Sequence, residues 1–135
     1  ARVMARYVID ALTLLHLVEE AIAVDESHQL VAPASIRSQA MTLLLGRVNA
    51  GELHEREALR LHERLTELKV RLLNDRVSRR TAWNLARAHG WSSLRDAEYL
   101  ALVTLQADAL VTVDERLAAL AAGLVEVRPV VVLTR

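Results

Sequence analysis

The sequence predicts an α/β fold, a three-layer α/β/α sandwich with a short parallel sheet, and two observations carry that prediction. Short apolar stretches alternate with helical ones along the 135 residues, and such alternation favours a parallel sheet with helices on both sides. Three aspartates, Asp10, Asp96 and Asp114, stand where strand character gives way to a helix or where a helix opens. In parallel α/β folds, functional groups collect at the carboxyl ends of the strands.

The first strand is read at 7–9, apolar and partly β-branched, ahead of a helix at 11–24 whose Leu14, Leu15, Leu17, Val18, Ala21 and Ile22 leave few polar faces. A polar break at 25–28 precedes a strand at 29–32, stopped by Pro33. The helix at 35–49 buries Ile36, Ala40, Leu43 and Leu44 and ends at Gly51. The helix at 53–68 carries a stripe of Ala58, Leu61, Leu65 and Leu68, and the two helices form a hairpin. Residues 69–73 alternate as a half-buried strand does. Ser78 is read as the cap of a helix running to His89, with Gly90 as its stop. Ser92 and Ser93 announce a helix that ends near Gln106. The clearest strand is 109–113, followed by a short helix at 114–122 ended by Gly123 and a last strand beginning at 125–127. The apolar tail 130–133 has no partner that the sequence identifies. The order is β-α-β-α-α-β-α-α-β-α-β, with no linker or repeat, so residues 1–135 read as one domain. The first Met is residue 4, and residues 1–3 read as tag or upstream sequence.

Composition narrows the function. A hydrophobic content of 53% supplies a core, and with two Trp, two Tyr and no Phe that core is aliphatic. The net charge is zero, so contact with nucleic acid needs a local patch or a bound cation. Cysteine is absent, which removes disulfides, thiolate metal sites and cysteine nucleophiles and fits a reducing cytoplasm. No apolar run approaches the ~20 residues of a membrane span. There is no phosphate-binding glycine loop, no H-E-x-x-H and no G-x-S-x-G. The five histidines are scattered and read as surface or ordinary packed residues. Trp83 and Trp91 read as core or dimer residues rather than as stacking platforms.

Each aspartate taken alone has a plain explanation. Asp10 and Asp114 stand at helix N-cap positions, and Ser93-Leu94-Arg95-Asp96 has the spacing of a capping box. Together they describe something else. Carboxylates delivered from separate elements to one sheet edge suit hard cations such as Mg²⁺ and Mn²⁺, and those cations serve in-line attack on phosphate.

The segments around these acids resemble a known family. Asp10 after Tyr-Val-Ile, the stretch Leu30-Val31-Ala32-Pro33 before a helix, Asp96-Ala97-Glu98-Tyr99-Leu100-Ala101-Leu102 and Leu110-Val111-Thr112-Val113-Asp114 are similar to the PIN-domain ribonucleases. The resemblance is greatest to the VapC-type toxins of bacterial toxin–antitoxin pairs, and it spans about residues 7–127. It implies a PIN-like fold and metal-dependent cleavage of RNA. It also implies an acidic quartet in which Asp10, Asp96 and Asp114 match three members, with Thr112 ordering the cluster. The partners it implies are an antitoxin segment that enters the acidic groove and a second copy of the chain. The apolar first helix and the leucine-rich hairpin also favour such contacts.

The sequence departs from the family at two places. The remaining acid of the quartet is a Glu six residues beyond the Pro, and that position here is Gln39. Gln keeps an acceptor oxygen but loses charge and basicity, so a weakened metal site is expected. The plain reading of Gln39 is a helix residue bonded to nearby backbone. Leu12 stands where many members carry a small hydroxyl residue, and Thr13 beside it is expected to face elsewhere. Glu98, Glu115, Glu19 and Glu20 do not read as substitutes for the missing acid. Arg37, and Arg79 with Arg80 beside Arg76, are the candidate phosphate contacts; for the latter group a solvated face is the plainer reading.

The leading expectation is therefore a Mg²⁺- or Mn²⁺-dependent endoribonuclease acting as a toxin, with Asp10, Gln39, Asp96 and Asp114 as its site. A PIN-like module that binds RNA or antitoxin with impaired catalysis is the alternative that Gln39 feeds. A phosphate-accepting receiver domain is disfavoured, because no paired acids follow the first strand.

Overall fold

The computed structural model describes residues 4–135; residues 1–3, which the sequence reads as tag or upstream residues, lie outside the described residues. The elements follow the order read from the sequence: β1 (Ala5–Ile9), α1 (Ala11–Glu19), β2 (His28–Pro33), α2 (Ile36–Asn49), α3 (Glu55–Glu67), β3 (Arg71–Leu73), α4 (Arg76–His89), α5 (Arg95–Gln106), β4 (Ala109–Val111), α6 (Glu115–Ala121), β5 (Val127–Arg128) and a 3₁₀ segment, Val130–Thr134.

All the strand pairings are parallel, in the order β3-β2-β1-β4-β5. The chain steps outward from β1 to β2 and β3, then returns to the other side of β1 with β4. The strand order therefore reverses between β1 and β4, where a crevice opens at the carboxyl edge. Val8, Ile9, Val31, Ala32, Leu110 and Val111 are fully enclosed, as central strands covered on both faces require. Helix α5 lies across β1, β2 and β4 with α4 on its outer side, while α1 packs against the α2–α3 hairpin. Ala82 and Ala86 meet Ala97 and Ala101 between α4 and α5; four methyl side chains let the two helices approach closely.

The structure moves several boundaries. Helix α1 stops at Glu19 rather than at 24, because Ala21 turns left-handed (φ 50°). The amides of Ala21 and Ile22 then bond back to Val18 and Leu17, a closure normally built on glycine. Gly51 and Gly90 close α2 and α4 at positive φ as expected. The cap of α4 is Asp75, whose carboxylate accepts from the Ser78 amide at 2.6 Å, and not Ser78. The Ser93–Asp96 capping box does not form: α5 begins after Leu94, and Ser93 Oγ accepts from the Arg95 amide. Strand β3 is an edge strand whose Arg71 and Leu72 are exposed. The tail forms the 3₁₀ segment, buries Leu133 and accepts the Asp25 amide at 2.7 Å. Trp91 is partly buried and stacks on His89, whereas Trp83 is 56% exposed on α4, so the core reading fails for Trp83.

Candidate functional site

Asp10 follows the last residue of β1, at the strand-order reversal, and is 4% exposed. It occupies the N-cap position of α1 but makes no side-chain cap bond. Its Oδ1 instead accepts from two hydroxyls, those of Thr13 and of Thr112, the latter at 3.0 Å. Thr13, expected to face elsewhere, is fully buried against Asp10. It lies three residues after an N-cap, a spacing that returns over the cap. Both threonines also accept backbone amides at 3.0 Å, Thr13 from Val113 and Thr112 from Asp114. Two hydroxyls thereby tie β1, α1 and the segment after β4 into one unit. Burial raises the Asp10 carboxyl above the usual carboxylate range; the two hydroxyls oppose that rise and the Asp114 charge adds to it.

Asp114 does cap α6, its Oδ1 accepting the amides of Arg116 at 2.9 Å and Leu117 at 3.3 Å. Asp96, in the first turn of α5, is held by the fork of Arg116, with both N–H···O distances 2.9 Å. The same guanidinium stands 3.8 Å from Asp114 Oδ2. Gln39 projects from α2; its Oε1 accepts from the Tyr99 hydroxyl at 2.5 Å and its Nε2 donates to Ser35 Oγ at 3.0 Å. It is thus fixed by side chains, not by the backbone. Burial, then the Asp10 charge, push the Tyr99 hydroxyl up, so it stays a neutral donor.

Asp10, Gln39, Asp96 and Asp114 line one pocket of about 250 Å³, with Tyr99, Arg95 and Arg116 among the polar walls and Leu12, Leu43 and Leu117 among the apolar ones. Leu43, expected in the core, is half exposed here. An adjoining depression of about 400 Å³ shares Leu12 and Leu43 and includes Leu15, Val113 and the Glu19–Arg47 ion pair. Arg37, Arg79 and Arg80 are not among the lining residues of this pocket; Arg79 is bonded to Asn74 at the start of α4. Glu98 and Glu115 are also outside it, and Glu19 and Glu20 line only the adjoining depression.

Tyr99, Arg95 and Arg116 at the pocket, and Thr13 buried behind Asp10, are residues to which the sequence reading gave no role at the site. Thr13 was signalled by its distance from Asp10. Arg116 had no local signal, because the acid it pairs with lies twenty residues away on α5.

Three carboxylates and an amide oxygen are the donor type that hard divalent cations take. Their arrangement is not a finished cage. Among the described residues no three His, Cys, Asp or Glu side chains converge on a cation position. Asp10 is turned to its threonines, Asp114 to its helix and Asp96 to Arg116.

The architecture is a PIN-like α/β/α sandwich. No protein-family model and no curated protein matches the sequence. Several solved structures share the fold. The crystal structure of PAE2754 from Pyrobaculum aerophilum is 20% identical, with a TM-score of 0.73, over 96% of this chain and 94% of that one. A structure of VapBC-1 from nontypeable Haemophilus influenzae is 15% identical, with a TM-score of 0.58, over 92% of this chain and 97% of that one. At these identities the likeness is one of fold.

Proposed function

We propose that this chain is a divalent-cation-dependent endoribonuclease, using Mg²⁺ or Mn²⁺ on single-stranded or structured RNA, and the toxin of a toxin–antitoxin pair. The observation that carries the proposal is the single pocket lined by Asp10, Gln39, Asp96 and Asp114 at the strand-order reversal. The fold shared with VapBC-1 joins the VapC-type resemblance of the sequence in support.

In this reading Asp10, Asp96 and Asp114 hold the cation, and Thr13 and Thr112 keep Asp10 aimed. A bound divalent ion supplies an activated water and neutralises charge developing on the phosphate. Gln39, clamped by Tyr99 and Ser35, orients a water without accepting its proton. Arg95 and Arg116, which stand at the pocket, join Arg37, Arg79 and Arg80 as candidate phosphate contacts. The apolar walls at Leu12 and Leu43 continue into the adjoining depression and would receive an antitoxin segment. Exposed leucines on α2 and α3, Leu45 and Leu59, would serve a homodimer. No helix among the described residues is long and apolar enough to cross a membrane, and a cytoplasmic location is part of the proposal.

The clamped, uncharged Gln39 favours a second reading, a PIN-like domain that binds RNA or antitoxin with impaired chemistry. Cleavage of a labelled single-stranded RNA with Mn²⁺ or with chelator, by the wild type, Gln39→Glu and Asp96→Asn, decides between them. The first reading predicts metal-dependent cleavage by the wild type, faster with Gln39→Glu and lost with Asp96→Asn. RNA binding without cleavage by the wild type supports the second. Cleavage unaffected by Asp96→Asn removes the proposed site.

A further inference from the structure

We infer that Arg116 is a resident cation of the acidic pocket, so that a divalent ion enters by exchanging with its guanidinium at Asp96 and Asp114. This rests on the cation site proposed above and adds what sets its affinity.

The fork takes both oxygens of Asp96 at 2.9 Å and reaches Asp114 at 3.8 Å. A carboxylate bonded through both oxygens to a guanidinium has its best lone pairs committed, so a cation at Asp96 has to displace the fork. The helix does not hold Arg116 there. Its position in the first turn of α6 is electrostatically unfavourable for a cation, and only the acids compensate. Asp96, and then Asp114 and Asp10, stabilise its positive charge. The Arg116 side chain is 57% exposed while Asp96 is 19% exposed. Arg116 therefore covers the acid from the solvent side and can swing outward without disturbing the core. Without it, the carboxylates of Asp96 and Asp114 would face the buried Asp10 with Arg95 as the remaining cation among the pocket's lining residues in the metal-free protein. Arg116 supports the empty pocket and competes with the ion that fills it.

Calorimetric titration of the metal-stripped protein with MnCl₂ tests the exchange, using the wild type, Arg116→Gln, Arg116→Lys and Asp10→Asn. Arg116→Gln should bind Mn²⁺ about fivefold more tightly than the wild type, the equivalent of one good surface ion pair. Arg116→Lys, which keeps the charge but loses the fork, should fall between the two. In the wild type, the ¹⁵Nε resonance of Arg116 should shift with Mg²⁺ in step with occupancy. If Asp10→Asn abolishes binding but Arg116→Gln binds no more tightly, or the Arg116 resonance stays fixed at saturation, the exchange is wrong and the cation site stands. If neither the wild type nor Arg116→Gln binds Mn²⁺, both fail.

Discussion

Asp10→Asn should make the metal-free protein more stable at neutral pH. Asp10 is 4% exposed and both its hydroxyl bonds fall on one oxygen, Oδ1. An Asn at this position can present its amide oxygen to the same two threonines, so neither bond is lost. What disappears is a buried charge whose principal perturbation is desolvation and which also faces Asp114. The gain should be about 1 kcal/mol, the usual size for relieving one strained functional group, or roughly 3–5 °C in Tm for a domain of this length. The pH dependence has a definite sign. Because the folded-state pKa of Asp10 lies above its unfolded value, the folded protein takes up its proton first as pH falls. The destabilisation from the ionised group is fully present above the folded pKa and vanishes below the unfolded one. Urea unfolding in chelator should therefore show Asp10→Asn more stable than the wild type at pH 7, with the difference shrinking as the acid range is entered. A variant less stable than the wild type at pH 7, or a gain that does not change with pH, would refute this account of Asp10.

Three further substitutions probe other parts of the structure. Thr112→Val removes one of the two donors to Asp10 and the acceptor of the Asp114 amide; it should cost about 2 kcal/mol in urea unfolding, since it leaves that N–H unpaired and the buried carboxylate with Thr13 alone. Ala21→Gly relieves the left-handed residue that closes α1 and should gain about 1 kcal/mol in the same assay. Ala82→Leu forces a larger side chain into the alanine contact between α4 and α5 and should cost about 1–3 kcal/mol, read as a lower Tm.

Hydrophobic alternation and glycine stops were enough for the element order, because strand and helix periods survive in a sequence whatever their neighbours do. The α1 end was not legible: Ile22, Ala23 and Val24 continue an apolar pattern, and the stop is a left-handed alanine whose own amide and that of Ile22 bond back into the helix. The tail at 130–134 was illegible for a different reason. Its partner is the Asp25 amide, over a hundred residues away. At the pocket, Asp10, Asp96 and Asp114 could be picked out because carboxylates at strand-to-helix junctions are conspicuous, and Gln39 because a resemblance supplied its position. The hydrogen bonds that orient them were hidden. The Tyr99–Gln39 bond joins α5 to α2, and the Arg116–Asp96 fork joins α6 to α5, so neither has a local signature. The basic residues show the same limit. Clustering drew attention to Arg79 and Arg80, whereas the fold brings the isolated Arg95 and Arg116 to the pocket.

The central claim is that Asp10, Asp96 and Asp114 share one divalent cation. Anomalous scattering from crystals grown with MnCl₂ tests it most directly. A manganese peak in the pocket, within about 2.0–2.3 Å of Asp10 and of at least one of Asp96 and Asp114, is the predicted result, with the Arg116 guanidinium withdrawn from Asp96. A fully occupied fork between Arg116 and Asp96 with no manganese beside Asp10 at saturating concentration would contradict it.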